Sequence, residues 1–206
     1  MAEDGGVLST LSRDAWLREP APSRPQWTLE AHAIVSADGR IADEAGNMPE
    51  GLIHGADQSR FQAALDAGCL TVIGRDGHER HPRFGSRRRL VLTSRVENLE
   101  QDDPHVWFWN PAGARFEDAL TAAAPEGGVV VVTGGTRVFE TCLEAGLHAF
   151  DLTIAHDCTI PTGRPCLSGC DGLAALMTRL SEAGLRLRTA VWLDPHDRIE
   201  LRRFSR

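Results

Sequence analysis

The chain contains no lysine: every one of its 22 basic residues is an arginine. That absence rules out Schiff-base chemistry and the phosphate-gripping lysine of a P-loop. No apolar run approaches the roughly 18 residues a membrane helix needs. The acidic, glycine-rich opening from Met1 to Gly6 has neither the basic nor the apolar block of a secretory signal, so a cytoplasmic protein is expected. Cysteine is sparse: Cys69, Cys142, Cys158, Cys166 and Cys170 form no C-x-x-C pair and read as small core residues. A net charge of −7 speaks against a nucleic-acid surface. His78 and His81 flank Glu79, but no carboxylate or cysteine cluster completes a ligand set, and no metal is expected.

What is present suits one ordinary globular domain of 206 residues, 42% of them hydrophobic and 25% charged. Residues 1–27 mix Pro20, Pro22 and Pro25 with charges and show no sustained period, so they read as an N-terminal extension. Leu8, Leu11, Trp16 and Leu17 in it suit a short helix. Residues 28–206 form the domain proper, in which strand patterns at 28–36, 70–74, 89–93, 105–109, 128–133 and 150–156 alternate with helices at 56–67, 114–123, 136–145 and 172–183. The ending differs, because residues 185–193 and 198–204 flank the turn Asp194-Pro195-His196-Asp197, which closes an antiparallel hairpin. An α/β fold follows: a mixed sheet, mostly parallel, with helices on both faces and an antiparallel C-terminal edge.

The most informative stretch is residues 128–139, where a valine-rich strand runs into Gly134-Gly135 and then a helix. Paired glycines let backbone approach a ligand closely, and the free N–H groups of the helix end attract an anion such as a diphosphate. Arg137, one turn into that helix, can grip a second phosphate as a planar fork. The plain alternative is an ordinary strand-to-helix turn. In sheets of this kind ligands bind outside the carboxyl ends of the strands, where Thr133, Gly134 and Gly135 fall.

Several further segments stand in a recognisable order. They are Asn47-Met48-Pro49 with Ala56-Asp57-Gln58-Ser59-Arg60-Phe61, then Val72-Ile73-Gly74-Arg75, then residues 85–95, the diglycine strand, and Leu152-Thr153. Together they resemble the dihydrofolate reductase superfamily, which includes the reductase domain of riboflavin-biosynthesis deaminase-reductases. The resemblance spans about residues 28–204. Ser36-Ala37-Asp38-Gly39-Arg40-Ile41-Ala42 is similar to the S-x-D-G-x-I-A stretch of the riboflavin-type domains.

The resemblance implies reduction of a C=N or C=O bond with hydride from NADPH, the nicotinamide lying across the diglycine turn. It assigns Asp57 as the acid in an apolar pocket, with the Thr153 hydroxyl beside it. Read from its own residues, Asp57 is equally a helix N-cap. The cofactor positions implied are Gly74, Arg75, Thr93, Ser94, Arg95, Thr133, Gly134, Gly135, Thr136, Arg137 and Val138, with Ser94, Arg95 and Arg137 at the 2′-phosphate. Val35, Phe61, Arg87 and Phe139 are the implied substrate contacts. Phe61 shares the helix face of Asp57 and can stack on a flat ring or fill the core. Arg87 matches a tail-clamping arginine or belongs to a solvated run. The family also carries a cis peptide between its two glycines, which is expected at Gly134-Gly135.

The chain departs from the family at three positions: Glu50 replaces a loop tryptophan, Gly77 a phosphate-binding threonine and Phe139 a tyrosine. No zinc-deaminase signature accompanies the domain. The expected function is an NADPH-dependent reductase of a pterin-like or pyrimidine-like heterocycle. Its partners are that small molecule and, as an open question, a second copy in a homodimer. The alternatives are a nucleotide or pterin binding protein that kept the fold without the chemistry, and an unrelated doubly wound domain.

Overall fold

The computed structural model describes residues 26–80 and 87–206. The helix expected around Leu8, Leu11, Trp16 and Leu17 lies outside the described residues, as do His81, Gly85 and Ser86.

A nine-stranded sheet carries the fold. Its inner strands are β1 (Trp27–Ser36), β3 (Leu70–Gly74), β4 (Arg89–Leu92), β6 (Val106–Trp109), β7 (Gly128–Gly134) and β8 (Ala149–Ala155). They run parallel in the order β8-β1-β7-β3-β4-β6. Near-continuous apolar runs such as Val129–Val132 suit strands covered on both faces. At one edge the expected hairpin, β10 (Arg186–Asp194) and β11 (Ile199–Ser205), joins β8 antiparallel. The Asp194 carboxylate caps its turn, accepting from the amides of His196 at 2.9 Å and Asp197 at 3.1 Å.

The other edge holds a strand that the sequence pattern conceals. β5 (Leu99–Asp103) pairs antiparallel with β6, and four of its five residues are exposed and polar, so no apolar alternation betrays it. A separate ribbon pairs β2 (Arg40–Ala42) with β9 (Arg164–Pro165), both too short to leave a period.

One face of the sheet is covered by α3 (Phe116–Ala123), α4 (Thr136–Ala145) and α5 (Leu173–Glu182), over a continuous core built on Leu29, Ala31, Val72, Leu90, Val130, Val132, Phe150 and Leu152. α1 (Gly55–Ala67) and α2 (Arg75–Arg80) lie on the opposite face. There the apolar contacts break into two small clusters, Ile34 with Leu52, Ala155 and Ile199, and Ile73 with Val91 and Val106. Polar residues occupy the space under α1 between them.

The segment after β2 is clasped by arginines. Arg80 donates to Asn47 and, at 3.0 Å, to the Ala45 carbonyl. Arg164 on β9 reaches the Glu44 carbonyl at 3.3 Å and Asp76 on α2 at 3.2 Å.

Candidate functional site

α1 opens at His54 with no side-chain cap, so Asp57 lies inside the helix and is not its N-cap. That frees the carboxylate to point toward the sheet, on the same side as Phe61 one turn on. Beneath α1 stand His32 of β1 and Asp151 and Thr153 of β8. The Thr153 hydroxyl hydrogen-bonds Asp57. Burial pushes the Asp57 carboxyl above its ordinary range; the Thr153 bond and the charges of His32 and Arg60 oppose the shift and do not cancel it. The result is an acid with an increased protonated fraction beside a hydroxyl.

A second carboxylate shares the pocket and is handled differently. Asp151 is 4% exposed and meets Arg203 at 2.9 Å and Arg60 at 3.1 Å, with His32 Nδ1 at 3.8 Å. Arg203 also reaches Glu30 at 3.2 Å. The His32 ring lies 6.4 Å from that of Phe61, and burial holds its pKa below the ordinary histidine value despite the pull of Asp151 and Glu30. Two carboxylates facing each other across one site thus have different surroundings: Asp57 is desolvated beside a hydroxyl, and Asp151 is clamped by guanidinium groups.

Sequence reasoning missed His32, Asp151, Arg60, Arg203 and Glu30 as a set. The signal was available, since Glu30 and His32 interrupt a central strand and Asp151 sits between Phe150 and Leu152. Charged side chains in strands covered on both faces require partners.

The diglycine bend ends β7 at the level of the pocket. Register pairs Ala31 with Val132 and Ile34 with Thr153, so β1 alone separates the bend from the Asp57 site. No cis peptide occurs among the described residues, and the expected cis Gly134-Gly135 bond is therefore corrected to trans. Positive φ at both glycines, 103° and 71°, makes the turn instead. A Cβ at Gly134 would stand 2.7 Å from the Phe139 ring, whereas one at Gly135 would meet nothing within 4 Å. The bend is closed on its core side and open on the other. Amides in the first turn of α4 have no intrahelical acceptor and are available there.

Around the bend, Gly74 lies at the end of β3, with Val138 Cγ2 3.4 Å from the place a Cβ would take. The Thr93 hydroxyl accepts from the Arg95 amide at 3.2 Å, shaping the turn that exposes Ser94 and Arg95. The Thr133 hydroxyl donates to the Val72 carbonyl at 3.3 Å, and that of Thr136 to the Pro165 carbonyl. Arg75 pairs with Glu79 at 2.6 Å. The guanidinium groups of Arg95 and Arg137 are exposed and have no partner among the described residues. Gly74, Thr93, Ser94, Arg95 and Thr133 to Arg137 are therefore gathered at the carboxyl ends of three adjacent strands.

Other expected residues fall elsewhere. Val35 and Phe139 are fully buried in the main core, on the face away from α1, and Val138 is buried with them. Strand alternation puts Ile34, not Val35, on the α1 side. Arg87 ion-pairs with Asp66 near the end of α1. Gly77 faces Ile73, whose Cγ1 would be 3.0 Å from an added Cβ. The His78 ring packs edge-on against Phe108 at 5.6 Å, and no group of three or more His, Cys, Asp or Glu among the described residues is arranged for a metal. All five thiols are free; Cys142, Cys166 and Cys170 are buried, and Cys69 and Cys158 partly so. No helix among the described residues is long and apolar enough to cross a membrane.

The architecture is the dihydrofolate reductase-like fold. Dihydrofolate reductase from Enterococcus faecalis, solved with NADP(H) and RAB-propyl, superposes with a TM-score of 0.60 at 21% identity, covering 88% of this chain and 98% of that one. A structure described as a riboflavin biosynthesis protein, from Shewanella sp. PV-4, superposes at 0.58 with 15% identity, covering 87% and 98%. No family model matches the chain and no curated protein is similar to it in sequence.

Proposed function

We propose that this chain is an NADPH-dependent reductase of a pterin-like or pyrimidine-like heterocycle. The observation that carries the reading is the desolvated Asp57 carboxyl bonded to Thr153, one strand away from an open diglycine bend. The neighbours support the same reading, since one was solved with NADP(H).

The bend fits a dinucleotide. Gly135 has empty space where a side chain would be, the first turn of α4 offers amides, and Arg95 and Arg137 are two exposed guanidinium groups, without a partner among the described residues, for phosphate. When bound, NADPH supplies a hydride. The protein's part is to hold a flat ring and to provide the proton that accompanies that hydride. Asp57 in its protonated form hydrogen-bonds or protonates a ring nitrogen, and Thr153 fixes the carboxyl's orientation. Phe61 and the His32 ring give the ring system an aromatic wall.

The test is the fall in NADPH absorbance with dihydrofolate, dihydrobiopterin and the ribosylamino-pyrimidinone. Asp57→Asn is expected to lose about 10²–10⁴-fold in turnover while still binding NADPH. Undiminished turnover in that variant would overturn the role given to Asp57. Arg137→Ala is expected to weaken NADPH about tenfold more than NADH, read as the ratio of their KM values. A second reading, a binding protein without catalysis, is favoured by Gly77, which leaves this end of α2 without the family's hydroxyl. NADPH binding by calorimetry, with no oxidation across the substrate panel, would select it.

A further inference from the structure

The two edges of the sheet are finished in opposite ways. β5 presents Glu100, Gln101, Asp102 and Asp103, the charged blunting that keeps an edge from pairing with another chain. β10 carries Arg186 and Arg188 but sets a large apolar surface between and beyond them. Seven successive residues from Arg186 to Trp192 are exposed, and Leu187 at 51%, Val191 at 42% and Trp192 at 51% are three of the five large exposed hydrophobic residues described. Among the described residues this strand hydrogen-bonds only to β11, and no described strand pairs with its outer row of backbone groups.

We propose that β10 pairs antiparallel with β10 of a second copy across a two-fold axis at Ala190, joining two nine-stranded sheets into one. The residues of the strand identify the occupant, because they are complementary to themselves. Only this register overlaps all nine residues, and it sets Arg186 opposite Asp194 of the second copy, oppositely charged ends meeting twice. Leu187 then faces Leu193, and Arg188 faces the Trp192 ring, a cation over an aromatic surface. The smallest side chain, Ala190, falls where the two backbones cross the axis. The strand's two irregularities, at Leu187/Thr189 and Trp192/Asp194, lie on either side of that centre and leave Thr189 to Trp192 regular. Because α1 approaches β10, the second copy stands beside the helix that carries Asp57.

The experiment is sedimentation or light scattering on the full chain over a concentration series, independent of any enzymatic assay. The expected mass is twice 22.5 kDa. Val191→Lys and Trp192→Arg, both at exposed positions, the second setting like charges opposite Arg188, are expected to give folded monomers by circular dichroism. Under mild oxidation Ala190→Cys is expected to form a covalent dimer and Leu187→Cys is not. A wild-type monomer at every concentration, or a dimer that survives both charged substitutions, would overturn the proposal. So would equal crosslinking at the two cysteine positions.

Discussion

Strand β8 shows two chemistries on one backbone. Phe150, Leu152 and Ile154 point into a dry core under α4 and α5, while Asp151 and Thr153, alternating with them, line a polar pocket under α1. The first face is packed to hold the sheet together. The second gives up apolar burial for groups whose charge and protonation are set by their surroundings. α1 reflects this, since Leu65 is its one buried residue and its inward face otherwise offers Asp57, Phe61 and Ala64. The comparison teaches that stability and chemistry are separated here by the two-residue period of a strand, not by distance along the chain.

Substitutions that strike one face and spare the other break this comparison most cleanly. Phe150→Ala, which empties a fully buried position, is expected to cost about 3–5 kcal/mol in urea unfolding, with the activity of the remaining folded protein little changed. Three residues on, Thr153→Val is expected to reverse the pattern: turnover falls about tenfold, while stability moves by about 1 kcal/mol, the worth of one hydrogen bond. Loss of stability without loss of turnover at Thr153 would dissolve the distinction.

The bend between the faces sharpens it further. Gly134→Ala drives a methyl group into the Phe139 ring at a positive φ, whereas Gly135→Ala suffers only the strained backbone. The first is expected to lose more than the second, whose cost is about 1–3 kcal/mol. Thermal melts of the pair measure the difference.

The smallest effect is in pH dependence. Because the folded-state pKa of Asp57 is raised by burial, its contribution to stability is fully present below the ordinary carboxylate pKa and is lost as pH rises through the raised value. Asp57→Asn is therefore expected to gain on the wild type in Tm as the pH is taken from about 4 to about 8. A variant Tm that falls relative to that of the wild type over that range would contradict the burial of the acid.

How much of this was legible follows from which residues carry periodic signals. The inner strands and four longer helices emerge within two or three residues of their observed bounds, because valine runs and helical spacing are local. β5 was hidden because an edge strand guarded by acids has no apolar face to display. At the site, the diglycine bend and Asp57 could be read from short segments. Glu30 and Asp151 announce themselves as charges within buried strands, but their pairing with Arg60 and Arg203 could not be read, since the members are distant in sequence and meet only through the fold. Phe139 and Val35 were drawn to the pocket by resemblance, and strand alternation and the packing of α4 send them the other way.

The bond from the Thr136 hydroxyl to the Pro165 carbonyl couples parts that the topology keeps separate. It fastens the first turn of α4 to β9, whose Arg164 in turn holds the Glu44 carbonyl and Asp76. Four remote stretches of polypeptide are thereby geared together, so a load applied at one is transmitted to the others. A dinucleotide drawn against Gly135 is expected to damp the fluctuations of the β2–β9 ribbon, and slower deuterium uptake at Ile41 and Ala42 would register that stiffening from the far end of the linkage.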